Sequence, residues 1–327
     1  MADPISSPRI YLAYTADELE RYYSPGALAA LEALGEVVRN DTGSVIEKAA
    51  LVDEARDCDI VIAHRSVALD AEFFERKDAR LKAVIRGAMD VSTIDVDAAT
   101  RAGVIVANTS SGFERAVAEH AIALAIDIAR DMTRAREAFL AGTEQPTRQG
   151  MELGGATLGI AGMGRIGREL ARLATALGMR VVYADPVAEA PYECLDFPEM
   201  LAIADVVACL AVSVPETRGL FDDDAFGSMK PGSIFLNLSR GELVDEAALE
   251  RALDAGILRG AGLDVGSGLD QTPPLHLARR PDVVATPHSA GMTAAARNVQ
   301  AMDTVDQARQ VIEGRVPDRA VNGSALA

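Results

Sequence analysis

Short apolar runs alternate with helically spaced stretches over most of the chain. RIYLAY (9–14) is rich in strand formers. PGALAALEAL (25–34) repeats its apolar residues at helical spacing, with proline at its start and Gly35 just past its end. DIVIAH (59–64), LKAVIR (81–86) and GVIVAN (103–108) are short and apolar, and helical pieces such as DVDAATRAG lie between them. Strands of this kind alternating with helices predict a parallel sheet covered on both faces. Residues 1–107 therefore read as a complete α/β domain.

A different pattern follows. GFERAVAEHAIALAIDIARDMTRAREAFLAG (112–142) has no proline, is apolar in its first half and charged in its second, and ends on glycine. It predicts one long helix whose first half is too apolar to face water on any side, sandwiched between domains or subunits. A polar, turn-rich loop is expected over 142–155. A second strand–helix series then starts at Thr157. Its strands are ADVVACLAV (204–212), GSIFLNLS (232–239), GAGLDV (260–265) and DVVATPH (282–288), with a helix at DEAALERALDAG (245–256). A long helix over 292–314 is expected to return to the first domain. The organisation is an outer domain of residues 1–107 plus 293–327, interrupted by an inserted domain of residues 108–292.

The inserted series opens on TLGIAGMGRIGRELARLATALGMRVVYAD (157–185). Gly162, Gly164 and Gly167 form GxGxxG between an apolar strand and a helix, and a second strand ends at Asp185. Gly162 permits the tight turn, Gly164 lets a pyrophosphate approach the backbone, and Gly167 lets the helix pack closely on the strand. The helix start offers free N–H groups to phosphate. Asp185 stands where an acid accepts the ribose 2′-hydroxyl and repels a 2′-phosphate, and no arginine follows in DPVAEAPYE, so NAD is expected rather than NADP.

Composition narrows the partners. The net charge of −17 argues against nucleic acid and anionic membrane, while leaving room for a small anion held by a few local cations. Cys58, Cys194 and Cys209 are widely spaced, lie in or beside apolar runs, and show no metal-like spacing, so buried thiols and no metal are expected. The start of the chain lacks a basic-then-apolar leader and no run is long enough to span a bilayer, which gives a cytoplasmic expectation.

Polar groups gather at the ends of the later strands, where open α/β sheets bind ligands. Arg240 follows the strand in NLSRGELVDE, Asp264 ends GAGLD, Asp270 lies in GSGLDQTPP and His288 lies in ATPHSAG. A guanidinium fork suits a carboxylate or carbonyl oxygen, and an imidazole can give a proton to an oxygen that gains charge as a hydride arrives. His120 reads as a packing residue and His276 as a loop residue. His64, ahead of Arg65 and Ser66, is open to either a structural or a site-lining role.

The order GxGxxG, Asp185, NLSRGELVDEAAL, GAGLDV, TPHSAG resembles the D-isomer-specific 2-hydroxyacid dehydrogenases over nearly the whole chain, and RAVAEHAIAL matches the helix after that family's interdomain crossing. The resemblance implies two doubly wound parallel-sheet α/β domains: a flavodoxin-like outer domain interrupted by a Rossmann NAD-binding domain, with the active site in the cleft between them. It implies a homodimer joined through the NAD domain and a small 2-hydroxy or 2-oxo acid as substrate. Arg240 then matches the substrate-binding arginine, His288 the acid/base histidine and Asp264 the acid beside the nicotinamide. Arg165, Ile166, Thr217, Ser239 and Gly291 complete the cofactor contacts implied, and Arg65, Ser66, Ala88 and Met89 the substrate contacts. The family's glutamate partner for the histidine falls on Leu269 in strict register, and Asp270, one residue on, is expected in its place. RGAMDVSTID departs from the family's glycine-rich substrate loop, and AVSVPET from its HxPxT run. The other reading on the same fold is an NAD(H)-binding regulatory or scaffold protein.

Overall fold

The computed structural model describes residues 4–110, 112–144, 147 and 149–326; of the loop expected over 142–155, residues 145, 146 and 148 lie outside these. The chain forms two units, one of residues up to Phe113 together with those from Thr293 onward, the other Glu114–Met292.

In the first unit β1 (Arg9–Ala13), β2 (Glu36–Arg39), β3 (Ile60–Ala63), β4 (Ala83–Arg86) and β5 (Ile105–Asn108) form a five-stranded sheet in the order β2-β1-β3-β4-β5. All neighbours are parallel. This is the flavodoxin-like order, which reverses between β1 and β3. Every residue of β3 and β4 is buried, because both faces are covered. One face packs Leu51, Phe73, Phe74 and Ala99, and the other Leu31 with Ala301, Val305 and Ala308. The last three come from the helix Ala294–Ile312, beyond the second unit in sequence. β2 is not legible in the sequence: EVVR is four residues long and none of them is buried, the pattern of a sheet edge.

In the second unit β6 (Thr157–Ala161), β7 (Arg180–Ala184), β8 (Glu193–Cys194), β9 (Val206–Cys209), β10 (Ser233–Asn237), β11 (Leu258–Leu263) and β12 (Val283–Ala285) form a parallel sheet. Its order is β12-β11-β10-β9-β6-β7-β8. That is the Rossmann arrangement with an added edge strand, and it reverses between β6 and β9. The chain is therefore an α/β protein with two doubly wound parallel sheets.

The segment expected as one long helix is two, Glu114–Arg130 and Met132–Leu140, separated by Asp131 at φ 53°. Side chains end the first helix. Asp127 accepts the N–H and hydroxyl of Thr133 at 2.7 and 2.5 Å, and Arg259 donates to the carbonyls of Ile128 and Ala129 at 3.3 and 3.2 Å. An aspartate tolerates the left-handed conformation better than most side chains. The first helix lies flat on β11 because the strand carries Gly260 and Gly262: a Cβ there would meet Ile128 at 2.8 Å and Leu124 at 3.1 Å. Burying each of those side chains contributes about 1.5–3 kcal/mol. Cys58 and Cys209 are buried as expected, whereas Cys194, on the short edge strand β8, is exposed. Among the described residues no helix is long and apolar enough to cross a membrane.

Candidate active site

The glycine turn sits at the strand-order reversal of the second unit. Gly162 has φ 99°, and a Cβ on it would lie 2.5 Å from the Ala211 nitrogen, just beyond β9. Only glycine meets both demands. A Cβ on Gly167 would lie 2.5 Å from the Gly162 carbonyl oxygen, so this position sets the close approach of the helix Arg165–Ala176. Gly164 differs: a Cβ there would meet nothing within 4 Å, so protein packing does not demand a glycine. Gly164 caps the helix with no side chain, and the N–H groups of Arg165, Ile166 and Gly167 have no partner among the described residues. Open space above free N–H groups fits a pyrophosphate. The Arg165 guanidinium turns away to Glu114, at 2.5 Å.

Asp185 is more than an acceptor waiting for a ribose. Its carboxylate takes the Met163 N–H at 2.9 Å and those of Val187 and Ala188 at 3.0 and 2.9 Å. Burial works against its ionisation, but these donors outweigh it and hold the carboxyl below its usual range. A fixed anion beside the glycine turn fits a ribose diol and opposes a 2′-phosphate. Thr217 and Ser239, expected to touch cofactor, spend their hydroxyls on Val212 and Ala211 carbonyls at 2.6 and 2.5 Å. Gly291 lies in the turn closed by the Met292 N–H on the Ser289 carbonyl at 2.9 Å.

Arg240 and His288 extend from strands two apart in the same sheet. Asn237, Leu263 and Ala285 are level across β10, β11 and β12, so each of the two residues lies three positions past the same level. Strands two apart are about 10 Å apart, within reach of an arginine and a histidine on one small molecule. Asn237 builds the first turn, donating to the Arg240 carbonyl at 3.0 Å and accepting the Ser239 N–H at 3.1 Å. The Arg240 guanidinium is exposed, makes no ion pair among the described residues, and hydrogen-bonds only the adjacent Ser239 carbonyl, at 2.8 Å.

The second turn is built by Asp264. This buried carboxylate accepts the Thr286 hydroxyl at 2.6 Å and the N–H groups of Ser289 and Ala290 at 2.8 and 3.0 Å, while its main-chain carbonyl takes the His288 N–H at 2.9 Å. His288 is held at φ 52°. Because the Thr286 hydroxyl donates to Asp264, its oxygen accepts from His120 Nε2 at 2.9 Å. His120, read from the sequence as packing, thus joins this network. The imidazole of His288 meets Asp270 at 3.1 Å, but through the main-chain carbonyl and not the expected carboxylate. Asp270 and Gln271 are both left-handed, at φ 54° and 61°, which turns that carbonyl toward His288 Nδ1. Leu269 points to solvent, 88% exposed.

In the first unit the expected substrate residues follow β3 and β4. Arg65 is exposed and without a partner among the described residues. Ser66 is engaged: its hydroxyl donates to Glu18 at 2.7 Å and lies 3.0 Å from His64 Nδ1. His64 is buried against Tyr22 and Tyr14 with Glu18 at 2.8 Å, and burial lowers its pKa in spite of that carboxylate. Burial thus works against a full ion pair at this contact. The N–H groups of Ala88 and Met89 have no partner among the described residues. Asp90 folds back on its own turn, accepting the Ser92 N–H and hydroxyl at 2.8 Å each. Beneath the loop Arg86 is fully buried; its guanidinium donates to the carbonyls of His64 and Val67 and the Thr93 hydroxyl, and burial lowers its pKa to about 10.

Comparison with known proteins gives the chain relatives over most of its length. The family described as "D-isomer specific 2-hydroxyacid dehydrogenase, NAD binding domain" matches residues 122–290. D-3-phosphoglycerate dehydrogenase of Mycobacterium tuberculosis is 35% identical over 308 residues, which are 91% of this chain and 57% of that protein. The chain spans about half the length of the curated relatives it matches. A glyoxylate reductase from Paecilomyes thermophila superposes with TM-score 0.78 at 27% identity, covering 98% of this chain and 100% of that one. D-lactate dehydrogenase from Lactobacillus jensenii, solved with NAD+, gives TM-score 0.83 at 26% identity, covering 96% and 99%. This chain therefore belongs to the D-isomer specific 2-hydroxyacid dehydrogenases and carries their NAD-binding domain.

Proposed function

We propose that the chain is an NAD-dependent oxidoreductase acting on a small D-2-hydroxy acid or its 2-oxo counterpart. The observation that carries this reading is an arginine with no ion pair among the described residues and a fixed histidine, extending equally far from strands two apart, in the unit that holds the dinucleotide turn. Bound NADH supplies a hydride to the substrate C2. Arg240 holds the acid's anionic end and polarises the C2 carbonyl, stabilising charge that grows on its oxygen. The Asp270 carbonyl fixes His288 Nδ1 as the donor to it, so the transferable proton sits on Nε2. From there it passes to the C2 oxygen on reduction and returns on oxidation. Asp264 positions the histidine turn, and Asp185 selects NAD.

The first unit, with its boundary near 107 and its return from 293, is the substrate domain in this reading. Arg65 and the free N–H groups of Ala88 and Met89 meet the substrate there, and Ser66 serves by holding His64. The exposed apolar side chains Ile126, Met132, Phe139 and Leu140 of the second unit support a homodimer formed through it, and the free thiols suit a cytoplasmic setting. The test is NADH oxidation against glyoxylate, pyruvate, hydroxypyruvate and longer 2-oxo acids, with NADPH in parallel. We expect turnover with at least one acid, NADH preferred at least about tenfold, and a loss of about 100-fold or more in kcat/KM for Arg240→Ala and His288→Ala. NADH affinity should be retained in both. Tight NADH binding with no turnover of any acid would refute the reading.

A further inference from the structure

Tyr14 follows β1 directly, and His64 follows β3, so the two flank the point where the strand order of the first unit reverses. That is where open α/β sheets bind ligands, beyond the carboxyl ends of their strands. Tyr14 is 1% exposed, with its ring against Tyr23 and His64 at centroid distances of 5.6 and 5.3 Å. Its hydroxyl nevertheless makes no hydrogen bond among the described residues, although it is not sealed from solvent. Buried tyrosines ordinarily find a partner for that group, and Tyr23 beside it does so, with Thr304 at 2.8 Å.

The hydroxyl is aimed at the loop after β4. A Cβ on Gly87 would lie 1.9 Å from the Tyr14 oxygen, so glycine at 87 is what admits it. The next two residues are Ala88 and Met89, whose N–H groups have no partner among the described residues. Three donors without a partner among the described residues therefore lie at Tyr14 and in the loop that follows the buried Arg86. The opposing charges nearby are Glu18, which is occupied by Ser66, His64 and its own helix start, and Asp90, whose carboxylate is turned to the Ser92 N–H and hydroxyl and acts on Arg86. Burial keeps the phenol protonated well above its ordinary range, so it acts as a donor at any working pH.

We propose that the Tyr14 hydroxyl, with the Ala88 and Met89 N–H groups, forms a subsite of the first unit for a carboxylate oxygen of the substrate, making Tyr14 a substrate-binding residue. This rests on the function proposed above and names a contact that it leaves unassigned. Tyr14→Phe removes one oxygen and keeps the ring that packs on Tyr23 and His64. The experiment titrates oxalate, a dicarboxylate that cannot be reduced as a 2-oxo acid, into the NADH-loaded protein, following NADH fluorescence. It also measures KM and kcat with the best 2-oxo acid. We expect oxalate affinity to fall roughly tenfold or more in Tyr14→Phe and KM to rise in parallel. NADH affinity, melting temperature and kcat should change little. Unchanged oxalate affinity and KM overturn the subsite, as does a lowered melting temperature with unchanged oxalate affinity, which makes the hydroxyl structural. If the wild-type protein binds NADH but neither binds oxalate nor reduces any acid, the functional reading itself falls, and the subsite with it.

Discussion

Asp264→Asn separates two roles for one carboxylate. The family resemblance puts an acid here beside the nicotinamide, but the side chain is 2% exposed and already accepts from the Thr286 hydroxyl and from the Ser289 and Ala290 N–H groups. Asparagine keeps one oxygen and replaces the other by an NH2 group. That NH2 must face one of the backbone donors, leaving a buried N–H unsatisfied at a cost of about 1–3 kcal/mol, and the remaining bonds lose their charge assistance. A total near 3 kcal/mol follows, which for a unit of this size is a fall of about 6–12 °C in melting temperature. Because the same bonds hold His288 at φ 52°, kcat should fall as well, while NADH affinity stays within about threefold. Thermal unfolding, NADH titration and steady-state kinetics on one preparation decide it. An unchanged melting temperature with NADH affinity weakened tenfold or more would refute the reasoning, showing that the carboxylate's charge serves the cofactor rather than the turn.

Asp270→Asn should leave the pH profile of kcat/KM in place and lower its plateau by no more than about threefold, because the histidine meets a carbonyl that the substitution preserves; a displaced acid limb would restore the carboxylate as partner. For stability, burial depresses the folded-state pKa of His64, so the unfolded chain binds the proton more readily. Stability is then full above about pH 6.5 and declines as pH falls below it, at no more than about 1.4 kcal/mol per pH unit. Glu18, also lowered, adds its own loss only below about pH 4.3. Urea unfolding between pH 7.5 and 5.5 should show a smaller decline for His64→Gln than for the wild type, and equal declines would exclude His64 as the source.

The strand series, the glycine turn and its acid are legible in the sequence because each follows from local demands. Apolar runs seek a covered sheet, and GxGxxG is required by distances within about thirty residues of chain. What was hidden depends on long-range hydrogen bonds. Nothing near Asp131 announces a helix break; Arg259, from a strand far along the chain, supplies part of it. Nor does a one-dimensional pattern distinguish an aspartate that offers its carboxylate from one that offers its carbonyl, as Asp270 does through a left-handed backbone. His120 looked apolar in its surroundings, and only the turn at Thr286 reveals its partner. Gly87 and Tyr14 are likewise far apart in sequence, one after β4 and the other after β1, and neither residue alone signals the other.

One face of the first unit's core joins Ile10 and Leu12 to Ala301, Val305 and Ala308. A ribosome therefore releases the contiguous stretch Glu114–Met292 before the first unit has all its parts. Until the helix Ala294–Ile312 emerges, strands made early in synthesis wait with one side bare, and that interval is when the nascent polypeptide is most open to chaperone capture or self-association.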